Sequence, residues 1–215
     1  MEHAYGLDIP STLEEACDPK RMALLVFDMQ VGIVSQLSDG PEIVARVAEV
    51  LRAAREGGFR VFFSRYMSLP KELMGVSQLR RAMSWQRVER VEEVEPAFPR
   101  DSAQVQIVPE LSPLPSEAII DRITFSAFSG TFLNLALRDC GINAFAICGI
   151  AMEVGIEPTA QHGTDLGYIP VIVQDACGAG HEEAGRRSLE SLKFSGDSLI
   201  TDASTINALF RKAGT

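Results

Sequence analysis

Apolar positions along the chain fall into two alternating patterns, continuous runs and helical stripes. Ala23 to Asp28 is an unbroken apolar run closed by a carboxylate, which predicts a parallel strand buried on both faces. Pro41 then opens a helix at a position where its missing N–H costs nothing. Ile43, Val44, Val47, Val50, Leu51 and Ala54 recur at helical spacing until Gly57–Gly58 stops the pattern. Phe59 to Ser64 reads as a second strand, and residues 71–90 as a polar, helical excursion carrying Trp85 among many charges. The stretch from Val91 to Ser116 holds five prolines and reads as a long connection, since strands of the same kind resume beyond it. Short strands follow at Ala118–Asp121, Asn143–Gly149, Ile169–Gln174 and Leu199–Thr201. Between them lie helices from Gly130–Thr131 to Cys140–Gly141, from Val154 to Leu166 and from Glu182 to Leu192, with a closing helix at the end. Pro158 is tolerable only in the first turn of its helix.

Six strands joined by helical crossovers imply a mostly parallel sheet covered on both faces, a three-layer α/β/α architecture. A length of 215 residues suits one large domain with a full core, here spanning 1–215 with residues 1–20 as an N-terminal extension. No apolar run approaches the roughly 20 residues that cross a bilayer, so no membrane partner is expected. The N-terminal segment has neither a basic start nor an apolar core, so no signal peptide is expected and a cytoplasmic location is the default. A net charge of −9 leaves no basic face for phosphates and argues against a nucleic-acid partner.

Cys17, Cys140, Cys148 and Cys177 show no metal-ligand spacing, and neither do His3, His162 and His181; four free thiols and no metal are expected. Cys148, inside an apolar run, reads as a core residue. No motif calls for a cofactor, and none is expected.

Open parallel sheets bind ligands at the carboxyl ends of their strands. Asp28 ends the first strand, Arg65 and Tyr66 follow the second, Arg122 follows the third, and Gly149 to Gly155 links the fourth to its helix. The last segment carries Ile150, Ala151 and Glu153, and places backbone N–H groups near a helix N-terminus, a site for an anion or a developing oxyanion.

Three stretches carry a resemblance. Val26 to Gln30, Arg122 to Phe128 with Gly130–Thr131, and Gly149 to Ala160 resemble the signature segments of the isochorismatase-like (cysteine hydrolase) superfamily, and Asp165 to Tyr168 and Asp175–Ala176 extend the likeness. The resemblance implies a six-stranded parallel sheet between helical layers, a small-molecule substrate, and assembly as a homo-oligomer, a dimer or tetramer. It also implies a cis peptide between Ile150 and Ala151. Most members use an Asp-Lys-Cys triad. At the matching positions this chain has Asp28, Arg122 and Gly155, so a covalent thiol mechanism at that site is excluded. The Asp and His metal cluster of nicotinamidases is also missing, with Ser64 to Met67 in its place. True isochorismatases share the glycine and use the aspartate as a general acid, but they keep the lysine.

Arginine cannot shuttle a proton, so Arg122 reads as an anion clamp or as the electrostatic partner of Asp28. Glu153 and Glu157 could favour a helix N-terminus. Tyr66 and Trp85 could line the pocket or simply pack, and Arg80–Arg81 with Arg87–Arg90 read as a solvated face. Two functions follow. One is a hydrolase of a small anionic molecule with Asp28 as general acid or base; the other is a catalytically silent binding member of the family.

Overall fold

The computed structural model describes residues 1–196 and 198–214. The chain opens with a small antiparallel hairpin, β1 (Glu2–Ala4) and β2 (Leu7–Ile9), followed by α1 (Leu13–Ala16). Tyr5 and Gly6 both have positive φ, 55° and 77°, as a two-residue hairpin turn with the right twist demands. The main body then runs β3 (Met22–Phe27), α2 (Val31–Val34), α3 (Gly40–Glu56), β4 (Arg60–Tyr66), α4 (Val76–Gln86) and β5 (Ala118–Arg122). It continues with α5 (Leu133–Asp139), β6 (Ala144–Ile150), a π-helical turn (Met152–Ile156), α6 (Glu157–Asp165), β7 (Ile169–Gly178), α7 (Glu182–Ser195), β8 (Leu199–Thr201) and α8 (Ala203–Ala213).

Strands β3 to β8 form one sheet in the order β5-β4-β3-β6-β7-β8, every pair parallel. Every residue of β3 is buried, because it lies at the centre with helices on both sides. Alternation along the strands sends Leu24, Val26, Phe63, Ala146 and Cys148 into a core shared with α3 and α8. Ala23, Leu25, Phe27, Phe145 and Ile147 point the other way, against α5, α6 and α7.

The strand order reverses between β3 and β6, and such a switch point opens a crevice at the carboxyl edge of the sheet. The backbones are close there. Gly149 has φ +129°, and a Cβ on it would stand 2.0 Å from the Phe27 carbonyl oxygen, so only glycine fits.

The main departures from the sequence pattern lie next to this edge. The helix expected from Val154 begins instead with the π-helical turn, and α6 proper starts at Glu157 with Pro158 in its first turn. Strand β7 runs on to Gly178 through an irregularity opposite Ile147–Gly149. Residues 91–116 hold only two short 3₁₀ turns and fold back over the site, bridging Gln30 to Ile107 and Ser68 to Pro99.

Candidate active site

Asp28 leaves β3 with a positive φ of 49°, a conformation non-glycine residues rarely hold unless their surroundings enforce it. The enforcement comes from β4. The Asp28 N–H donates to the Ser64 carbonyl, and Ser64 Oγ donates to Asp28 Oδ1 at 2.9 Å. Arg122 donates from its NH2 nitrogen to Oδ2, so carboxylate and guanidinium are directly ion-paired. Asp28 is 5% exposed and Arg122 4% exposed. Burial pushes the Asp28 carboxyl up to about 6, against the lowering by Arg122 and the Ser64 hydroxyl. Burial also lowers the pKa of Arg122, opposed by the charge of Asp28.

The rest of Arg122 is engaged too. Its NH1 donates to the Thr124 carbonyl, and its guanidinium lies over the Phe27 ring at 4.3 Å from the centroid. Its Nε has no partner among the described residues. The arginine is thus ion-paired with Asp28 in this structure.

Gly155 faces the same ring. A Cβ there would come within 2.3 Å of Phe27 Cε1 and 2.4 Å of Cζ, with Arg122 NH2 at 3.5 Å. The space a nucleophilic side chain would need is filled by Phe27, itself fully buried. The Gly155 N–H donates to the Ala151 carbonyl at 3.0 Å, so it is held within the π-helical turn instead of facing a substrate oxygen. The Ile150–Ala151 peptide is cis, as the family likeness implies, and both residues line the cavity.

That cavity has a volume of about 300 Å³. Asp28, Arg122 and Gly155 form part of its wall, and Phe27, Tyr66, Trp85, Phe98 and Phe125 make it strongly aromatic. Tyr66 and Trp85 are therefore pocket residues. The Tyr66 backbone is clamped by the buried Gln30 side chain, which accepts from its N–H at 2.6 Å and donates to its carbonyl at 2.9 Å. The amide acts as a short piece of strand.

Three expectations need correction. Arg65 is not in the cavity wall: strand alternation puts Ser64 and Tyr66 on the site side and Arg65 on the other, where it makes a bidentate pair with Asp121 at 2.7 and 3.0 Å. Glu153, expected at the substrate or oxyanion site, does not line the cavity; it sits in the first turn of the π-helical segment, and its Oε1 accepts from the His181 N–H at 2.9 Å, at the start of α7. Arg81 is no part of a solvated face. It is partly buried, with its guanidinium 4.5 Å from the Phe125 centroid and 5.7 Å from those of Tyr66 and Trp85. Among the described residues, no group of three His, Cys, Asp or Glu could hold a metal ion, and no helix is long and apolar enough to cross a membrane.

A six-stranded parallel sheet with a buried strand-end aspartate, a partner cation at the end of β5 and a cis peptide at the end of β6 defines a three-layer α/β protein with its candidate site at the carboxyl edge of the sheet. The isochorismatase domain matches residues 22–204, and the chain belongs to the isochorismatase family of hydrolases. An uncharacterized isochorismatase family protein, YecD of Escherichia coli O157:H7, is 30% identical over 80% of this chain and 88% of its own length. The ureidoacrylate amidohydrolase RutB of Pantoea ananatis is 27% identical over 81% of this chain and 76% of its own. In fold, a cysteine hydrolase from Pseudomonas syringae pv. phaseolicola superposes with a TM-score of 0.75 at 22% identity, covering 91% of this chain and 95% of that one.

Sequence reasoning missed Phe27, Gln30, Ser64 and Arg81 as parts of the site. The signal for Phe27 was available: a bulky ring beside Asp28, in a chain with glycine at position 155.

Proposed function

We propose that this protein, acting as a single domain, hydrolyses a small anionic molecule without a covalent enzyme intermediate, with Asp28 as the general acid or base. The observation that carries the reading is a buried carboxylate, raised to about 6, in the wall of an aromatic cavity where Phe27 leaves no room for a thiol at position 155. A carboxyl so placed titrates close to the working pH, where proton transfer is most effective. For an amide or enamide, Asp28 accepts a proton from water as its oxygen adds to the carbonyl, and returns it to the leaving nitrogen. For an enol ether, it gives its proton to the vinylic carbon; water adds to the resulting oxocarbenium ion and returns a proton to Asp28, and the hemiketal so formed breaks its ether C–O bond to give a carbonyl compound and an alcohol. Arg122 holds Asp28 in place and balances its charge in either case. Arg122 offsets the single carboxylate of the inner cavity, and Arg81 in the adjoining compartment adds a further positive charge, which favours an anionic substrate.

The relative RutB is named for ureidoacrylate, which makes carboxylate-bearing enamides the first compounds to try. The test is a panel of anionic amides, enamides and enol ethers assayed with wild type and Asp28→Asn. Turnover lost in the variant supports the reading. No turnover of any compound, with ligand affinity unchanged in Asp28→Asn, overturns it.

One observation favours a silent binding protein: both Asp28 oxygens already accept hydrogen bonds, from Ser64 and Arg122. That reading keeps the cavity and drops the chemistry, and the same panel separates the two.

A further inference from the structure

Behind the aromatic wall lies a second compartment of about 190 Å³. It shares Gln36, Tyr66, Trp85 and Phe98 with the inner cavity, so the two are halves of one cleft. Among its polar groups, Gln78, Arg81 and Gln86 come from α4. Arg81 donates to the Ile123 carbonyl at 3.2 Å and lies over three aromatic rings, but no carboxylate lies within 4.0 Å of it among the described residues. Gln78, one turn earlier on the same face, has a buried Oε1 without a hydrogen-bond partner. A buried acceptor left unpaired is costly, and a ligand donor would relieve it. The one carboxylate of this compartment, Glu95, is exposed and makes no ion pair. In the inner cavity the two charges, Asp28 and Arg122, cancel each other. The charge of Arg81 reaches the pair, adding to what lowers the Arg122 pKa.

We infer that this outer compartment is a carboxylate subsite, in which Arg81 takes the carboxylate of a flat, unsaturated or aromatic ligand and Gln78 Oε1 accepts from a neighbouring ligand hydroxyl or N–H. The aromatic wall of Tyr66, Trp85 and Phe98 receives the flat body, and the far end of the ligand reaches Asp28. An arginine on aromatic faces is preorganised and weakly hydrated, suited to a bidentate grip on a carboxylate. The inference rests on the small-molecule reading of the site and names the group that confers its preference for anions. It requires only binding, so it is separable from turnover.

Trp85 is the sole tryptophan of the chain and lines both compartments, so its fluorescence reports occupancy directly. The probes are benzoate, 3-hydroxybenzoate and the neutral benzamide, titrated at low salt. Wild type should bind benzoate about tenfold more tightly than benzamide, the scale of one charge-assisted contact. Arg81→Gln should bring that ratio to about one, and Arg81→Lys should restore part of it. Gln78→Leu should remove any advantage of 3-hydroxybenzoate over benzoate. The inference is overturned if wild type does not distinguish benzoate from benzamide or binds neither. It is also overturned if Arg81→Gln weakens both equally, or if Arg122→Gln alone erases the preference. Failure of the hydrolysis panel with a retained carboxylate preference would remove the enzyme reading and keep the subsite.

Discussion

Asp28 and Arg122 are joined across an intervening strand. Asp28 follows β3 and Arg122 ends β5, while β4 runs between them and supplies the Ser64 hydroxyl to the same carboxylate. Three strand ends thus converge on one buried charge pair. Removing one member of such a pair leaves the other unpaired in a poor solvent.

Arg122→Gln should therefore destabilise the fold by about 3–5 kcal/mol in urea unfolding. It should also raise the Asp28 pKa further, because the arginine is what holds it down. Arg122→Lys keeps the charge but loses the contacts to Thr124 and the stack on Phe27. A kcat/KM that follows pH with its midpoint moved upward in Arg122→Gln, and less in Arg122→Lys, identifies electrostatic positioning. An unmoved midpoint rejects it.

In wild type the pH profile of kcat/KM should show a limb near 6, from the raised Asp28 carboxyl. Attack by water requires the ionised form, so for an amide the rate rises through this limb. For an enol ether the acid form is needed and the rate falls. Asp28→Asn should lower kcat by ~10²–10⁴-fold with either substrate, since the amide keeps the shape and cannot carry the proton.

The same group sets a stability trend opposite to ordinary acid denaturation. Its folded pKa of about 6 lies above the ordinary 3.8, so the folded state binds the extra proton between those values. This contribution is fully present below pH 3.8 and is lost as pH rises through 6. The stability gap between wild type and Asp28→Asn should shift in favour of the variant from pH 4 to pH 7. Thermal unfolding at both pH values measures it.

Thiol alkylation should spare activity. Cys140 is the exposed cysteine, whereas Cys148 is fully buried and pushed up to about 12, and desolvation raises Cys17 to about 12 as well. Iodoacetamide should label Cys140 first, not Cys17, and turnover should persist after stoichiometric labelling. Inactivation in step with labelling would mean that a thiol takes part in the reaction.

Much of the fold was legible because the strands that matter are buried on both faces. Such runs are hard to mistake, and all six emerged within a few residues of their observed limits. Asp28, Arg122, Ile150 and Ala151 were placed at the site by the same logic, since strand ends at a switch point converge. What escaped was set by long-range packing. Period-2 alternation excludes Arg65 from the cavity only once the strand is known to run through Tyr66. Arg81 looked like one charge among many until α4 docked its stripe against Tyr66 and Phe125. The π-helical turn has no local signature, and Gly155 without its Phe27 partner reads as a simple deletion.

Filling the space beside position 155 with a ring also ties two distant positions of the chain to one volume. Adding one methyl at position 155 collides with Phe27, an overpacking that costs about 1–3 kcal/mol. Shrinking Phe27 alone opens a void under Arg122 and costs about as much or more. Neither single step is favourable, and the two are coupled because they share one volume. A cysteine placed at position 155 of this chain therefore calls for a paired change at Phe27, and the double variant should be less destabilised than the sum of the two single ones.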